Sequence, residues 1–398
     1  MKTNLLLLST LSFALCDSTF GQGSLAPSAA PAPTMKTLEQ VEPRTPLDAA
    51  HTPGDGSNLF IITNSGSYYL VTNITATSAK SGIRILADSV TIDLNGFSLD
   101  GGGVGSVGII MPTFLPHHQN ITIRNGSIRN WSSHGVDVSF SRNFLIEKIL
   151  VSGCGGSGIN SAENSVIRDC FAYSNAVTTF AAAGIVANTG TVVAHCVADS
   201  NGNGNTNSFG IATGSGCTVT HCSASQNNSV NGGGISAGFY STVIDCAAGF
   251  NSGSNGVGIV VGNGSSVIRC TASGNAGVSG AGIAASQRGL IESCTATDNG
   301  GDGIRANAEC FILSNNCGNN GGPAIHTTGQ RNRIDNNNVT FNPGGGIKVD
   351  STLSFIVRNS VTGNSGNNYI IAAGNNDAQR LGGGTAFSST DPWANFSF

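Results

Sequence analysis

Residues 265–275 have the sequence SSVIRCTASGN, and the frame within this stretch recurs along the chain. An apolar residue lies three positions before Cys270, a small residue lies two positions after it, and Asn275 lies five positions after it. The same frame surrounds Cys170 and Cys294. Apolar runs this short, without the three- and four-residue spacing of a helix, predict short strands divided by bends.

A second motif, Gly followed by Ile or Val, gives the period of the repeat. Its spacing runs from 21 residues (Ile283 to Ile304) to 27 residues (Ile109 to Val136). The apolar member of the pair lies at 12 positions, with alanine in place of the preceding glycine at one of them, Ile325: Ile83, Ile109, Val136, Ile159, Ile185, Ile211, Ile235, Ile259, Ile283, Ile304, Ile325 and Ile347. A repeat of this length indicates a solenoid, because a single repeat cannot bury its own apolar face. We therefore expect an all-β, single-stranded parallel β-helix of about 12 coils, one per pair.

One position of the frame is Cys in six successive coils and Asn in the next three. It is occupied in order by Cys170, Cys196, Cys222, Cys246, Cys270, Cys294, Asn315, Asn337 and Asn359. Neighbours in this column should have Cα atoms about 4.8 Å apart, which is within the range for a disulfide. The column cysteines could therefore be buried free thiols or disulfides. We favour free thiols, because in-register side chains do not automatically reach the disulfide dihedral angle. The Asn members are expected to exchange amide hydrogen bonds between coils.

Composition and the two ends of the chain suggest an exported protein with one long domain. Residues 1–23 resemble a signal peptide, with Lys2 before a short apolar stretch, and residues 24–57 form a linker rich in Pro and Ala. Residues 58–380 are predicted to form the β-helix with N-terminal capping strands, and the aromatic tail 381–398 is predicted to cap its far end. No later segment is long and apolar enough for a transmembrane helix. The net charge of −4, without a basic run, argues against a nucleic-acid partner.

The Ile-x-x-Asn/Cys-x-Ala/Val frame, combined with the Gly-Ile strands, resembles the right-handed parallel β-helix repeat proteins of the pectate-lyase-like superfamily. The resemblance extends over residues 90–371 and suggests a secreted bacterial type. It implies a right-handed solenoid, and in the enzymes of this superfamily the catalytic residues project from one parallel sheet. The superfamily contains lyases, hydrolases, epimerases and adhesins, so the resemblance does not select an activity.

The Gly-Ile strands are the best candidate for such a sheet, because the residue after each inward Ile points outward. This outward row is Asp137, Asn160, Val186, Ala212, Ser236, Val260, Ala284, Arg305, His326 and Lys348. Arg305, His326 and Lys348 are expected to stack in a column, with Asp302 and Asp350 beside it. In a lyase or epimerase an Arg or Lys near a neutral His could abstract a proton next to a uronate carboxylate, while another cation neutralises the developing charge. The column could equally bind an acidic glycan, or only cover the sheet in water.

A second candidate cluster contains Trp131, His134, Asp137 and Asn160. An aromatic side chain beside polar groups is typical of a sugar-binding platform, although a Trp in such a position also commonly packs a loop. We therefore consider Trp131, His134 and Asp137 as substrate-binding candidates together with Asp302 and Asp350.

Two functions follow from these patterns. The first is a non-catalytic surface or glycan-contact protein, which the uncharged outward row from Val186 to Ala284 favours. The alternative is a polysaccharide lyase, hydrolase or epimerase that acts on an acidic glycan near Arg305. The paired Asp residues and the Gly-His-Gly of the hydrolase branch are absent. The residues indicate no cofactor and no metal site. A calcium ion is expected only for a lyase, and Asp302 and Asp350 lie about two coils apart, too far for a shared calcium cage.

Overall fold

The computed structural model describes residues 42–111, 118–176, 182–202, 207–382 and 390–398. In these ranges the chain forms β-strands without helices. None of the described segments is a helix with the length and apolarity that a membrane span requires. The strands form two sheets, of 14 and 28 strands, and neighbouring strands are parallel. The prediction of an all-β parallel β-helix is confirmed.

The Gly-Ile strands form one continuous sheet, called the Gly-Ile sheet below. Each strand pairs in register with the strand one coil later, so Ile259 is paired with Ile283 and Ile283 with Ile304. The sheet has 14 strands, two more than the 12 repeat positions in the sequence, because each end of the solenoid adds one strand whose inward residue, Phe60 or Tyr369, is neither Ile nor Val. The strands are Asn58–Ile62, Ser81–Ile85, Ile109–Ile110, Val136–Asp137, Ile159–Asn160, Ala183–Ala187, Phe209–Thr213, Gly233–Ala237, Val257–Val261, Ala281–Ala285, Asp302–Ala306, Ile325–Thr327, Ile347–Val349 and Tyr369–Ile371.

Each regular coil adds two short strands to the second sheet, and a sharp bend lies between them. His195, between two such strands, has a φ of 52°, in the left-handed region that turns the chain. Cys196 follows this first bend and is fully buried. The strands of the second sheet are Thr45–Pro46, Gly66–Tyr69, Ile74–Thr75, Val90–Asp93, Ser98–Asp100, Gln119–Arg129, Arg142–Ser152, Val166–Arg168, Phe171–Tyr173, Val192–Ala194, Val197–Asp199, Thr218–Thr220, Ser223–Ser225, Thr242–Ile244, Ala247–Gly249, Ser266–Ile268, Thr271–Ser273, Leu290–Glu292, Thr295–Thr297, Phe311–Leu313, Asn316–Gly318, Arg333–Asp335, Asn338–Thr340, Phe355–Val357, Ser360–Thr362, Asn376–Asp377, Arg380–Gly382 and Asn395–Ser397.

The six cysteines of the repeated frame stack behind the first bend. The backbone N–H of Cys196 donates to Sγ of Cys222 over 3.4 Å, and Cys222 repeats this contact with Cys246. The ten cysteines among the described residues are buried and form no disulfide. Burial raises the pKa of the Cys154 thiol to about 11, which disfavours the thiolate. The structure therefore contains the buried free thiols that the sequence favours.

Nine asparagines follow the second bend of successive coils and form what we call the amide column: Asn175, Asn201, Asn227, Asn251, Asn275, Asn299, Asn320, Asn342 and Asn364. Asn251 illustrates its geometry. Its Oδ1 accepts from the backbone N–H and from Nδ2 of Asn227, at 3.0 and 2.9 Å. Its Nδ2 donates to Oδ1 of Asn275 and to the carbonyl of Ala224, at 2.9 and 3.0 Å. The first eight of these asparagines are buried, and the hydrogen bonds between successive amides satisfy their polar groups, whereas Asn364 at the end of the column is partly exposed.

The solenoid begins earlier than the predicted boundary at residue 58. Thr45 and Pro46 pair with Tyr68 and Tyr69, and Leu47 is fully buried. The end of the predicted linker 24–57 therefore belongs to the solenoid. The strands predicted to cap the N-terminus form a regular coil, in which Phe60 is in register with the Ile83 strand. The signal peptide predicted for residues 1–23 lies outside the described residues.

Residues 390–398 lie against the last coil. Asn395–Ser397 pairs with Ser360–Thr362, and Oδ1 of Asn395 accepts a hydrogen bond from the backbone N–H of Asn359 at 3.0 Å. Asn395 thereby continues the series of Asn315, Asn337 and Asn359 behind the first bend. This contact places the tail where a cap would lie, and its effect on stability remains a prediction.

Candidate functional site

Five charged side chains gather on the outer face of the Gly-Ile sheet near its C-terminal end. We call them the charged cluster: Asp302, Arg305, His326, Lys348 and Asp350. Arg305 is in register with His326, and His326 with Lys348, so the three cations stack across neighbouring strands as the period predicts. The five outward residues that precede Arg305 in this row are uncharged. They are Val186, Ala212, Ser236, Val260 and Ala284.

His326 lies between two carboxylates and contacts one with each ring nitrogen. Nδ1 is 3.0 Å from Oδ2 of Asp302, and Nε2 is 2.8 Å from Oδ2 of Asp350. The hydrogen bond with Asp302 and then that with Asp350 raise the pKa of His326, although burial opposes them. Both ring nitrogens therefore act as donors in the favoured charged form. In that charged form neither ring nitrogen offers a free lone pair to a substrate proton, and a catalytic role for Arg305, His326 and Lys348 stays a prediction.

The two remaining cations differ in how firmly they are held. Arg305 donates from Nε to Oδ2 of Asp302 at 2.6 Å and from its terminal nitrogens to the carbonyls of Ser279 and Gly280. Nζ of Lys348 lies 3.1 Å from Oδ1 of Asp350, and the Lys348 side chain keeps 32% of its surface exposed. Both cations are partly exposed, Arg305 at 38%, but Arg305 is held by three contacts with the protein, whereas Lys348 is the less constrained of the two.

The carboxylates are already neutralised by the protein. Asp302 is nearly buried, with 6% of its side chain exposed, and it contacts both Arg305 and His326. Hydrogen bonds from His326 and Lys348 lower the pKa of Asp350. With His326 charged, three cations face two carboxylates, which leaves a net charge of 3 − 2 = +1. The charged cluster is thus suited to an anionic ligand.

Calcium would have to compete with these ion pairs. Asp302 and Asp350 are two coils apart, as the sequence predicts, and they are connected through His326. Within the described ranges, no group of three or more His, Cys, Asp or Glu side chains could hold a metal ion. The calcium expected for a lyase therefore stays an untested prediction.

Trp131 is not a sugar platform. Its side chain is buried, with 1% of the residue exposed, and its Nε1 donates to the carbonyl of Leu99 at 3.2 Å. A Cβ atom added at Gly105 would lie 2.5 Å from the ring, so this glycine provides the room that the indole occupies. The prediction of Trp131 as a binding residue is wrong, because the side chain packs in the core.

The polar members of the second cluster bind their own neighbours. Nδ1 of His134 accepts from the backbone N–H of Ser157 at 2.9 Å. Oδ1 of Asp137 accepts from Oγ of Ser139 at 2.9 Å and from Nδ2 of Asn160 at 3.1 Å. Without an aromatic platform, these contacts describe local loop structure. A binding role for His134 and Asp137 stays a prediction.

Sequence reasoning missed a cleft between the second sheet and the tail, called the tail cleft below. It has a volume of about 380 Å³ and is lined by Arg333, Phe355, Val357, Asn376, Asp377, Ala378 and Trp393. Part of the signal is in the sequence. Phe311, Arg333 and Phe355 pair across successive coils of the second sheet, so they share one outward column. The contribution of Trp393 was hidden, because the tail has no repeat.

Residues 58–223 and 205–365 match the family described as "Right handed beta helix region". These segments cover most of the chain, which therefore belongs to the right-handed β-helix family. The predicted handedness and the resemblance to pectate-lyase-like β-helix proteins are confirmed.

Solved structures with a similar fold have little sequence in common with this chain. The A-module of the mannuronan C-5 epimerase AlgE4 from Azotobacter vinelandii has 14% identity and a TM-score of 0.45, over 79% of this chain and 91% of its own. The corresponding module of AlgE6 gives 14% and 0.45, over 79% and 90%. A mutant tailspike protein of E. coli bacteriophage HK620, in complex with pentasaccharide, gives 11% and 0.43, over 86% and 72%. Curated protein sequences gave no significant match. Identities this low transfer no function.

Proposed function

We propose that the protein is a glycan-contact protein that binds an acidic polysaccharide at the charged cluster without chemical change. One observation carries the proposal. His326 has both ring nitrogens occupied by Asp302 and Asp350, so the column presents fixed positive charge where a catalytic base would be needed.

Binding would use the less constrained cation first. Lys348 can pair with a uronate carboxylate, while His326 and Arg305 supply positive potential from behind it. The uncharged strands from Val186 to Ala284 extend the same face and would present no charge that repels a polyanion. An anionic chain could therefore lie along the Gly-Ile sheet with its carboxylates directed at the charged cluster.

An exported location belongs to the same proposal. Residues 1–23 have the Lys and the short apolar stretch of a signal peptide, which supports an extracellular or cell-surface protein. A surface glycan would then be the natural partner. Catalysis by a lyase, hydrolase or epimerase is the less favoured reading, because it requires a free base that His326 does not provide.

Binding of polygalacturonate and alginate, measured by calorimetry with neutral dextran as a comparison, tests the proposal. Lys348→Gln should weaken binding roughly five- to tenfold, the size of one partly exposed charge-assisted contact. Lys148→Gln is the matched control, because it removes the same charge from an exposed residue of the second sheet. Equal weakening by both variants would show that only net charge matters. New unsaturated or reducing ends in the polymer would contradict a non-catalytic role.

A further inference from the structure

We propose that the tail cleft is a second carbohydrate site, which binds one anionic sugar residue by stacking it on Trp393 and pairing its carboxylate with Arg333. The tail cleft is formed by the second sheet and the tail, whereas the charged cluster lies on the Gly-Ile sheet. The inference shares its ligand class with the proposed function but stands on separate residues.

The size and walls of the tail cleft suit a sugar ring. Its volume of about 380 Å³ is at the small end of ligand pockets, which fits one or two sugar residues. Phe355 and Trp393 line it and remain about half exposed, at 51% and 49%. The only other tryptophan in the sequence, Trp131, is buried in the core, whereas Trp393 is exposed.

Trp393 is held in place before any ligand arrives. The guanidinium carbon of Arg358 lies over the indole ring at 5.2 Å from its centroid, so one face is covered by a cation–π contact. The backbone N–H of Trp393 donates to Oδ1 of Asp391, and its carbonyl accepts from the backbone N–H of Arg358, both at 3.0 Å. A preformed ring loses little conformational entropy on binding.

Two guanidinium groups share one carboxylate beside the tail cleft. Asp335 is nearly buried and accepts hydrogen bonds from two guanidinium groups, those of Arg333 and Arg358. Burial alone would raise the pKa of Asp335, but the hydrogen bonds from Arg358 and Arg333 lower it. Asp335 therefore divides its charge between two cations, while Asp377, the carboxylate in the wall of the tail cleft, is paired with Arg380. Arg333 uses Nε and Nη2 for this pair and, among the described contacts, leaves Nη1 for a ligand.

A sugar matches this combination better than a purely apolar group. The apolar face of a pyranose ring packs on an aromatic side chain, while its hydroxyl groups require polar partners at the rim. Arg333, Asn376 and Asp377 supply such partners beside Phe355 and Trp393. The charge on Arg333 then selects a uronate over a neutral sugar.

Tryptophan fluorescence tests the inference in the full chain. Trp393 is exposed to acrylamide and Trp131 is buried. A ligand bound in the tail cleft should therefore reduce acrylamide quenching of the Trp393 fluorescence only. Trigalacturonate should protect Trp393, and neutral maltotriose should not. By calorimetry, Trp393→Ala should weaken trigalacturonate binding about tenfold, and Arg333→Gln about fivefold. Trp393→Phe keeps an aromatic wall, so it should bind within about threefold of the wild type and guards against a folding defect in the alanine variant.

Four outcomes would overturn the inference. Equal protection by maltotriose would remove the role of charge, as would unchanged affinity in Arg333→Gln. If trigalacturonate no longer protected Trp393 in Lys348→Gln, the change in quenching would come from binding at the charged cluster instead. Shielding of Trp393 that rises with protein concentration, without sugar, would show that a second copy of the chain occupies the tail cleft. If Lys348→Gln has no effect on polymer binding but Trp393 is still protected, the proposed function fails and the second site stands.

Discussion

Replacing Asn251 with aspartate should make the stability of the solenoid depend on pH. Asn251 is fully buried, and its Oδ1 accepts two hydrogen bonds from Asn227. An aspartate of the same shape keeps both accepted bonds. The second carboxyl oxygen, however, replaces the Nδ2 donor and faces two acceptors, the carbonyl of Ala224 and Oδ1 of Asn275, which are 3.0 and 2.9 Å from the present nitrogen.

The cost follows from those two lost bonds. A buried acceptor left without its donor costs about 1–3 kcal/mol, so the ionised variant should lose about 2–6 kcal/mol, with a further penalty for burying the charge. A protonated carboxyl has one O–H and can restore one of the two bonds, so the loss falls to about 1–3 kcal/mol at low pH.

The direction of the pH dependence is fixed by linkage. Facing acceptors and burial favour the protonated carboxyl, so the pKa of the new aspartate is raised in the folded state above its unfolded value of about 3.9. Between these two values the folded state binds more protons than the unfolded state. Stability relative to the wild type is therefore highest below the unfolded pKa and falls as pH rises toward the folded pKa.

Urea unfolding followed by circular dichroism measures the effect. Midpoints for the wild type and Asn251→Asp should be compared at about pH 4 and about pH 8, because a repeat protein need not unfold in two states. Asn255→Asp is the matched control, since Asn255 is exposed in the same coil and should show little change at either pH. A deficit for Asn251→Asp that is equal at both pH values would refute the reasoning.

Three further predictions concern the tail, the charged cluster and the thiols. Deleting residues 390–398 should lower the thermal midpoint, because Asn359 loses the acceptor that Asn395 provides; an unchanged midpoint in calorimetry would remove the capping role. His326→Gln should cost stability most below the ordinary histidine pKa of about 6.5, and the difference from wild type should shrink as pH rises through the raised pKa; a difference that is flat with pH in urea titrations would contradict this. The ten buried thiols of the described residues should resist a disulfide reagent until urea unfolds the chain, because burial shields the sulfur atoms and, for Cys154, raises the pKa of the thiol to about 11; rapid labelling of Cys154 in the native protein would count against it.

The fold was predictable because its register is recorded directly in the sequence. A strand in a parallel solenoid must place an apolar residue inward once per coil, and the Gly-Ile pairs mark that position. The first and last coils were missed because Phe60 and Tyr369 occupy it in place of Ile or Val. They pair with the strands of Ile83 and Ile347 all the same, since an inward apolar side chain is sufficient.

The candidate site was only partly predictable. The column of Arg305, His326 and Lys348 follows from the period, but the contacts of His326 depend on side-chain torsions that no spacing records. The error on Trp131 was avoidable. It occupies the same inward position as Cys154 and Asn175 in the next two coils, since Arg129 is in register with Ser152 and the backbone N–H of Cys154 donates to Oδ1 of Asn175.

The amide column also implies that the protein can change length by whole coils. Asn227, Asn251, Asn275 and Asn299 are each separated by 24 residues, and every link between them has the same hydrogen bonds. If residues 251–274 were excised, Asn227 would meet Asn275 in the geometry it now has with Asn251. The shortened rod would lose about 4.8 Å, the rise of one strand, and carry both candidate sites unaltered. Natural or designed relatives that differ by one coil should therefore fold with little adjustment elsewhere.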